Sequence, residues 1–110
     1  MMAANATLAI SIDRTASAAR LTLTVHSDKP LDLTFPSAQL YEGVIRDHKG
    51  REVYRWSRGR MFAEMMSTVS VTHEKTWEVP LKLKLPAGKY NVEGFLTAGD
   101  YHAVTTLEIK

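Results

Sequence analysis

Apolar and polar residues alternate along most of this chain with the two-residue period of half-buried strands. Leu8, Ile10 and Ile12 alternate with Ala9, Ser11 and Asp13, and Leu21, Leu23 and Val25 with Thr22, Thr24 and His26. Leu31, Leu33 and Phe35 follow after Ser27-Asp-Lys-Pro30, where the proline blocks a continuous ladder. Arg14 to Ala19 is small and polar and reads as a turn or short loop. Leu40 to Asp47 is a strand with weaker alternation, because Val44 and Ile45 are both apolar. Asp47-His48-Lys49-Gly50 is a hairpin turn: the aspartate side chain opens it, and the glycine accepts the positive φ at its exit. On the return strand, Arg51 to Ser57, Tyr54 and Trp56 share one face and Val53 and Arg55 the other.

The second half of the chain continues the pattern. Ser57-Arg-Gly-Arg60 is a loop, and Met61, Met65 and Met66 have the spacing of a single helical turn that would close over a sheet edge. Val69 and Val71 mark a strand, and His73-Glu-Lys75 a polar turn. Trp77, Val79, Leu81, Leu83 and Leu85 then alternate with charged residues and with Pro80, which places this strand at an edge or bends it. Leu85-Pro-Ala-Gly-Lys-Tyr90 resembles the corner before the penultimate strand of many immunoglobulin-like domains, where a tyrosine hydrogen-bonds back across the turn. Tyr90, Val92, Gly94 and Leu96 share the next strand face, Ala98-Gly-Asp100 turns the chain, and Ala103 to Ile109 closes it. The expectation is an all-β, immunoglobulin-like antiparallel β-sandwich of about seven to nine strands.

Composition narrows the function classes. A chain of 110 residues is expected to form one domain, since domains usually run to ~100–200 residues. It has no cysteine, which excludes disulfides, thiol catalysis and cysteine-ligated zinc. Met1 to Ala9 has neither a basic n-region nor a long apolar run, so no signal peptide is expected, and no stretch is apolar enough to span a bilayer. A cytoplasmic location is the expectation. His26, His48, His73 and His102 fall on strand faces or turns at no metal-like spacing, and His73-Glu74 lacks the second histidine of a helical zinc motif. There is no G-x-S-x-G elbow and no glycine-rich phosphate loop, so neither an enzyme nor a cofactor is expected.

One stretch departs from this even picture. From Arg46 to Arg60 there are six Lys/Arg against two acids, with Tyr54 and Trp56 among them, while the whole chain is only +2. Stacking on single-stranded nucleic acid is one reading of such a cluster. The plainer one is a solvated strand face, with Tyr54 and Trp56 buried and the stem of Arg55 packed on the sheet. The weak overall basicity favours the second, and no nucleic acid partner is expected. Met61-Phe62 is similarly divided between plugging the end of the sandwich and touching a partner.

Tyr54-Arg55-Trp56-Ser57, then three residues, then Met61-Phe62 resembles the central signature of the BsuPI-type intracellular proteinase inhibitors. Ser37, Gln39, Tyr41 and Glu42 resemble the start of a strand in the same family, and the likeness extends over residues 35–96. The resemblance implies an immunoglobulin-like protein-binding domain that inhibits an intracellular subtilisin-like serine protease. The alternative is a non-inhibitory scaffolding module on the same fold. The expected partner contacts are Arg58, Arg60, Met61 and Phe62, on a chain acting as a monomer.

Overall fold

A computed structural model describes residues 6–14, 18–82 and 84–110. Among these are nine strands and no helix: β1 (Ala6–Arg14), β2 (Ala19–Ser27), β3 (Leu31–Phe35), β4 (Tyr41–Arg46), β5 (Glu52–Arg55), β6 (Ser67–Val71), β7 (Glu74–Leu81), β8 (Gly88–Leu96) and β9 (His102–Ile109). All pairings are antiparallel. The strands form a three-stranded sheet β1-β2-β7, a two-stranded ribbon β3-β6 and a four-stranded sheet β5-β4-β8-β9. Arg14 and Ala19, the ends of the loop expected between the first two strands, form the last pair of the β1-β2 ladder, while residues 15–17 of that loop and Leu83 in the run after Trp77 lie outside the described residues.

The ribbon is an extension of the first sheet. Pairing of β2 with β7 ends at His26↔Glu74, the Ser27 N–H donates to the His73 carbonyl, and pairing resumes at Leu31↔Val71. Three residues, Asp28 to Pro30, therefore stand opposite Thr72 alone, and the extra length kinks the two strands together. The bend on the return side falls at Thr72–His73, and β7 starts at Glu74 within the turn that the sequence pattern placed at His73–Lys75. The result is an elongated molecule of 48 × 29 × 25 Å.

The two larger sheets pack against each other. Leu21, Leu23 and Val25 of β2 and Val79 and Leu81 of β7 are fully or almost fully buried in one cluster with Ile45, Val92 and Leu96 of the opposite sheet. Gly43 and Gly94 are directly paired across β4 and β8, and this bare spot admits the leucines of β2. A Cβ on Gly94 would stand 2.6 Å from Leu23 Cδ2, and one on Gly43 would stand 3.2 Å from Leu21 Cδ2. Phe35 joins the ribbon to the core by an edge-on contact with Trp77, ring centroids 6.3 Å apart.

Local signals were realised closely. Asp47 Oδ1 accepts the N–H groups of Lys49 and Arg51, both at 2.9 Å, and Gly50 has φ +80°. The Tyr90 hydroxyl donates to the Pro86 carbonyl at 2.6 Å, across the corner where a tyrosine was expected. Pro80 points outward on β7, whose hydrogen-bonded neighbour is β2 alone among the described strands.

Candidate functional site

At one end of the four-stranded sheet, residues 37–42 and 54–62 converge, although some fifteen residues separate them. The centre of this meeting is Glu42, whose side chain is only 3 % exposed. Its Oε1 accepts the backbone N–H of Gly43 at 3.0 Å and that of Ser57 at 3.1 Å. Its Oε2 accepts the Gln39 side-chain amide at 3.0 Å and lies 3.6 Å from the Arg55 guanidinium. A buried carboxylate is tolerated when its charge is matched and its lone pairs are occupied, and here both conditions are met. The carboxylate thereby fixes where the chain leaves β5.

Arg55 carries the charge outward. Its Nε and Nη2 both donate to Glu52 Oε1, at 3.0 and 2.7 Å, and Glu52 Oε2 accepts Arg58 Nη2 at 2.6 Å. The hydrogen bonds from Arg55, aided by the charges of Arg55, Arg58 and Arg46, hold the Glu52 carboxyl below the usual carboxylate range despite some burial. Conversely, the hydrogen bond to Glu52 raises the Arg55 value above that of an ordinary arginine. Arg55 is thus an electrostatic link between two acids.

The turn after β5 is closed by the Arg58 N–H on the Arg55 carbonyl and the Arg60 N–H on the Ser57 carbonyl, at 3.1 and 3.0 Å. Gly59 sits at φ +81°, a conformation that other residues adopt only at a cost. Below the turn, the Trp56 ring contacts Tyr41 at 4.8 Å and Phe62 at 5.7 Å between centroids. The Arg60 guanidinium lies 4.4 Å above the Trp56 ring, and its Nε donates to the Trp56 carbonyl at 2.9 Å. The Trp56 indole N–H is buried without a hydrogen-bond partner among the described residues.

The four residues expected at a partner contact therefore lie together but differ in state. Arg58 and Arg60 are exposed, each with its guanidinium already engaged within the chain. Phe62 is half-buried against Trp56, and Met61 is 98 % exposed. Met61 and Phe62 thus do not form a joint plug: the phenylalanine anchors and the methionine projects. The expected helical turn over residues 61–66 is also absent. The Ala63 carbonyl accepts the Ala38 N–H at 2.9 Å, which ties the segment alongside residues 36–38 instead of to its own next turn. Glu42 escaped sequence reasoning as the residue that holds the loop. Its signal was an acid inside the apolar strand Tyr-Glu-Gly-Val-Ile, which requires a buried partner.

The sequence profile of the BsuPI family, described as intracellular proteinase inhibitor, matches residues 5–101. The chain belongs to the BsuPI family of intracellular proteinase inhibitors. No curated protein matches it. The family match extends over β1 to β3 as well as the central stretch that carries the resemblance, so the N-terminal strands belong to the same pattern. The geometry gives the BsuPI signature a physical meaning. Tyr41 and Glu42 from one half of it hold Trp56, Ser57 and Arg55 from the other, and Gln39 holds the Glu42 carboxylate. Among the described residues no helix is long and apolar enough to cross a membrane.

Proposed function

We propose that this chain is a cytoplasmic, monomeric inhibitor of a subtilisin-like serine protease, acting by binding and performing no reaction of its own. The contact surface is the 57–62 loop, with Arg58, Arg60, Met61 and Phe62. The observation that carries this reading is the pinning of that loop from below by Glu42 and Trp56, while Met61 stands free at its end. A protease cleft of this type accepts extended backbone, and a loop already held in shape loses less conformational freedom on docking. An immunoglobulin-like sandwich, supported by the Tyr90 corner, would supply the rigid platform.

The test is a titration of a purified intracellular subtilisin-like protease with the domain, followed by gel analysis of the mixture. Stoichiometric loss of activity with the chain intact is expected. Full protease activity without a complex, or cleavage of the chain between Arg58 and Met66, would instead favour a scaffolding module. The Arg58→Ala, Arg60→Ala double variant is expected to inhibit more weakly with only a small fall in melting temperature, since exposed ion pairs contribute little to stability. Unchanged inhibition by that variant would remove the two arginines from the contact.

A further inference from the structure

The chain has five methionines: Met1 and Met2, and three that fall within a single six-residue segment at positions 61, 65 and 66. The buried core uses Leu, Val, Ile, Phe and Trp, and no methionine belongs to it among the described residues. Met61, Met65 and Met66 are 98 %, 61 % and 72 % exposed. They make up most of the large apolar side chains that the described surface displays, beside Val53 and Val104. Segment 61–66 is neither strand nor helix, and it is held at its middle: the Phe62 ring rests on Trp56, and the Ala63 carbonyl accepts the N–H groups of Ala38 and Met65. Anchored in this way, the chain presents a methionine on either side of the anchor.

Resting on the protease-inhibitor reading above, we infer that Met61, Met65 and Met66 are the apolar contact residues of the inhibitor, seated in apolar subsites of the protease cleft, and that their oxidation switches the contact off. The occupant follows from continuity. The segment prolongs the pinned loop without a break, and the chain belongs to a proteinase inhibitor family. A thioether on an unbranched stem fits an apolar subsite by adjusting its torsions, which suits a contact that must fill a cleft shaped for varied side chains. The same exposure makes the sulfurs accessible to peroxides. A sulfur lone pair attacks one peroxide oxygen, the O–O bond breaks, an S–O bond forms, and the second oxygen leaves as water after taking up a proton. Sulfur is oxidised and peroxide reduced, with no further reactant. The sulfoxide is polar, so it opposes burial in an apolar subsite, and sulfoxide reductases reverse it. Because no methionine is in the described core, oxidation leaves the fold unperturbed.

The experiment compares the domain before and after hydrogen peroxide treatment, with excess oxidant destroyed by catalase and oxygen uptake at each methionine mapped by mass spectrometry. The inhibition constant against a purified subtilisin-like protease and the melting temperature are then measured. Oxidation is expected to raise the inhibition constant by about tenfold or more, as loss of a central apolar contact does, with the melting temperature unchanged. The Met61→Leu, Met65→Leu, Met66→Leu variant, which keeps Met1 and Met2, is expected to show the same inhibition constant before and after peroxide treatment. Equal inhibition by oxidised and untreated parent overturns the inference and leaves the inhibitor reading standing. An equal peroxide sensitivity in the leucine variant overturns it too, since the effect would lie elsewhere. Absence of inhibition by the untreated parent overturns the inhibitor reading, and the inference falls with it.

Discussion

Residues 56–60 and residues 61–66 are consecutive in the chain and are held in different ways. In the first segment Trp56 lies between Tyr41 and Phe62, Arg58 is on Glu52 and Arg60 is on Trp56, while Ser57 is held by its backbone N–H on Glu42. The second is tied at Phe62 and Ala63, and its methionines face outward. The difference separates two tasks that a binding loop has to combine. Polar pins and an aromatic stack set the direction of the chain, which lowers the ordering cost of docking. In the proposed inhibitor, adaptable apolar side chains supply the surface that meets the protease.

The comparison can be broken most forcefully from below. Trp56→Ala removes the ring shared by Tyr41, Phe62 and Arg60, and is expected to cost about 3–5 kcal/mol in chemical denaturation. It should also leave the loop as loosely held as residues 61–66. Next comes Glu42→Ala, which strands the N–H groups of Gly43 and Ser57 and leaves Arg55 with Glu52 alone. About 3 kcal/mol is expected from leaving buried donors and a charge uncompensated. A loss below that of an ordinary surface substitution would mean that Glu42 does not hold the loop. A smaller effect is expected from Gly59→Ala, since a left-handed conformation costs a residue with a Cβ about 1 kcal/mol.

Acid provides a milder probe of the same pins. Hydrogen bonds from Arg55 hold Glu52 below its ordinary value, and the Arg51 N–H and side chain do the same for Asp47. A carboxylate with a lowered folded value stabilises the fold fully above its unfolded value. That contribution is lost as pH falls through the folded value. Thermal unfolding is therefore expected to be flat between neutrality and pH ~5 and to decline below about pH 4, the ordinary carboxylate range. Glu52→Gln should make the decline shallower. The smallest effect on stability belongs to Met61→Ala, where no change in melting temperature is expected because the side chain is almost wholly exposed. A marked drop would show that Met61 packs within the fold.

The sequence made the sheets legible and the pins obscure, for a physical reason. Strand faces follow a two-residue period that is local, so Leu21, Leu23 and Val25 or Val79 and Leu81 could be assigned inward without knowing their neighbours. The Asp47–Gly50 turn and the Tyr90 corner are also local, closed within four residues. Glu42 and Ser57 are joined across fifteen positions, and Gly43 meets Gly94 only through sheet pairing. No pattern of spacing discloses such contacts. The helical reading of residues 61–66 failed similarly. Met61, Met65 and Met66 have helical spacing, but none is buried, so the spacing had no core face to serve. What holds the segment among the described residues is the bond from Ala38 to the Ala63 carbonyl together with the Phe62 ring on Trp56.

The most direct measurement is backbone hydrogen exchange of the domain, free and in a stoichiometric mixture with a purified intracellular subtilisin-like protease whose nucleophile has been blocked. Added protection concentrated in residues 57–66, with the β1 and β7 edges unchanged, is the expected result. Protection that falls instead on those edges, or no added protection anywhere, would contradict the assignment of this loop and segment as the inhibitory contact.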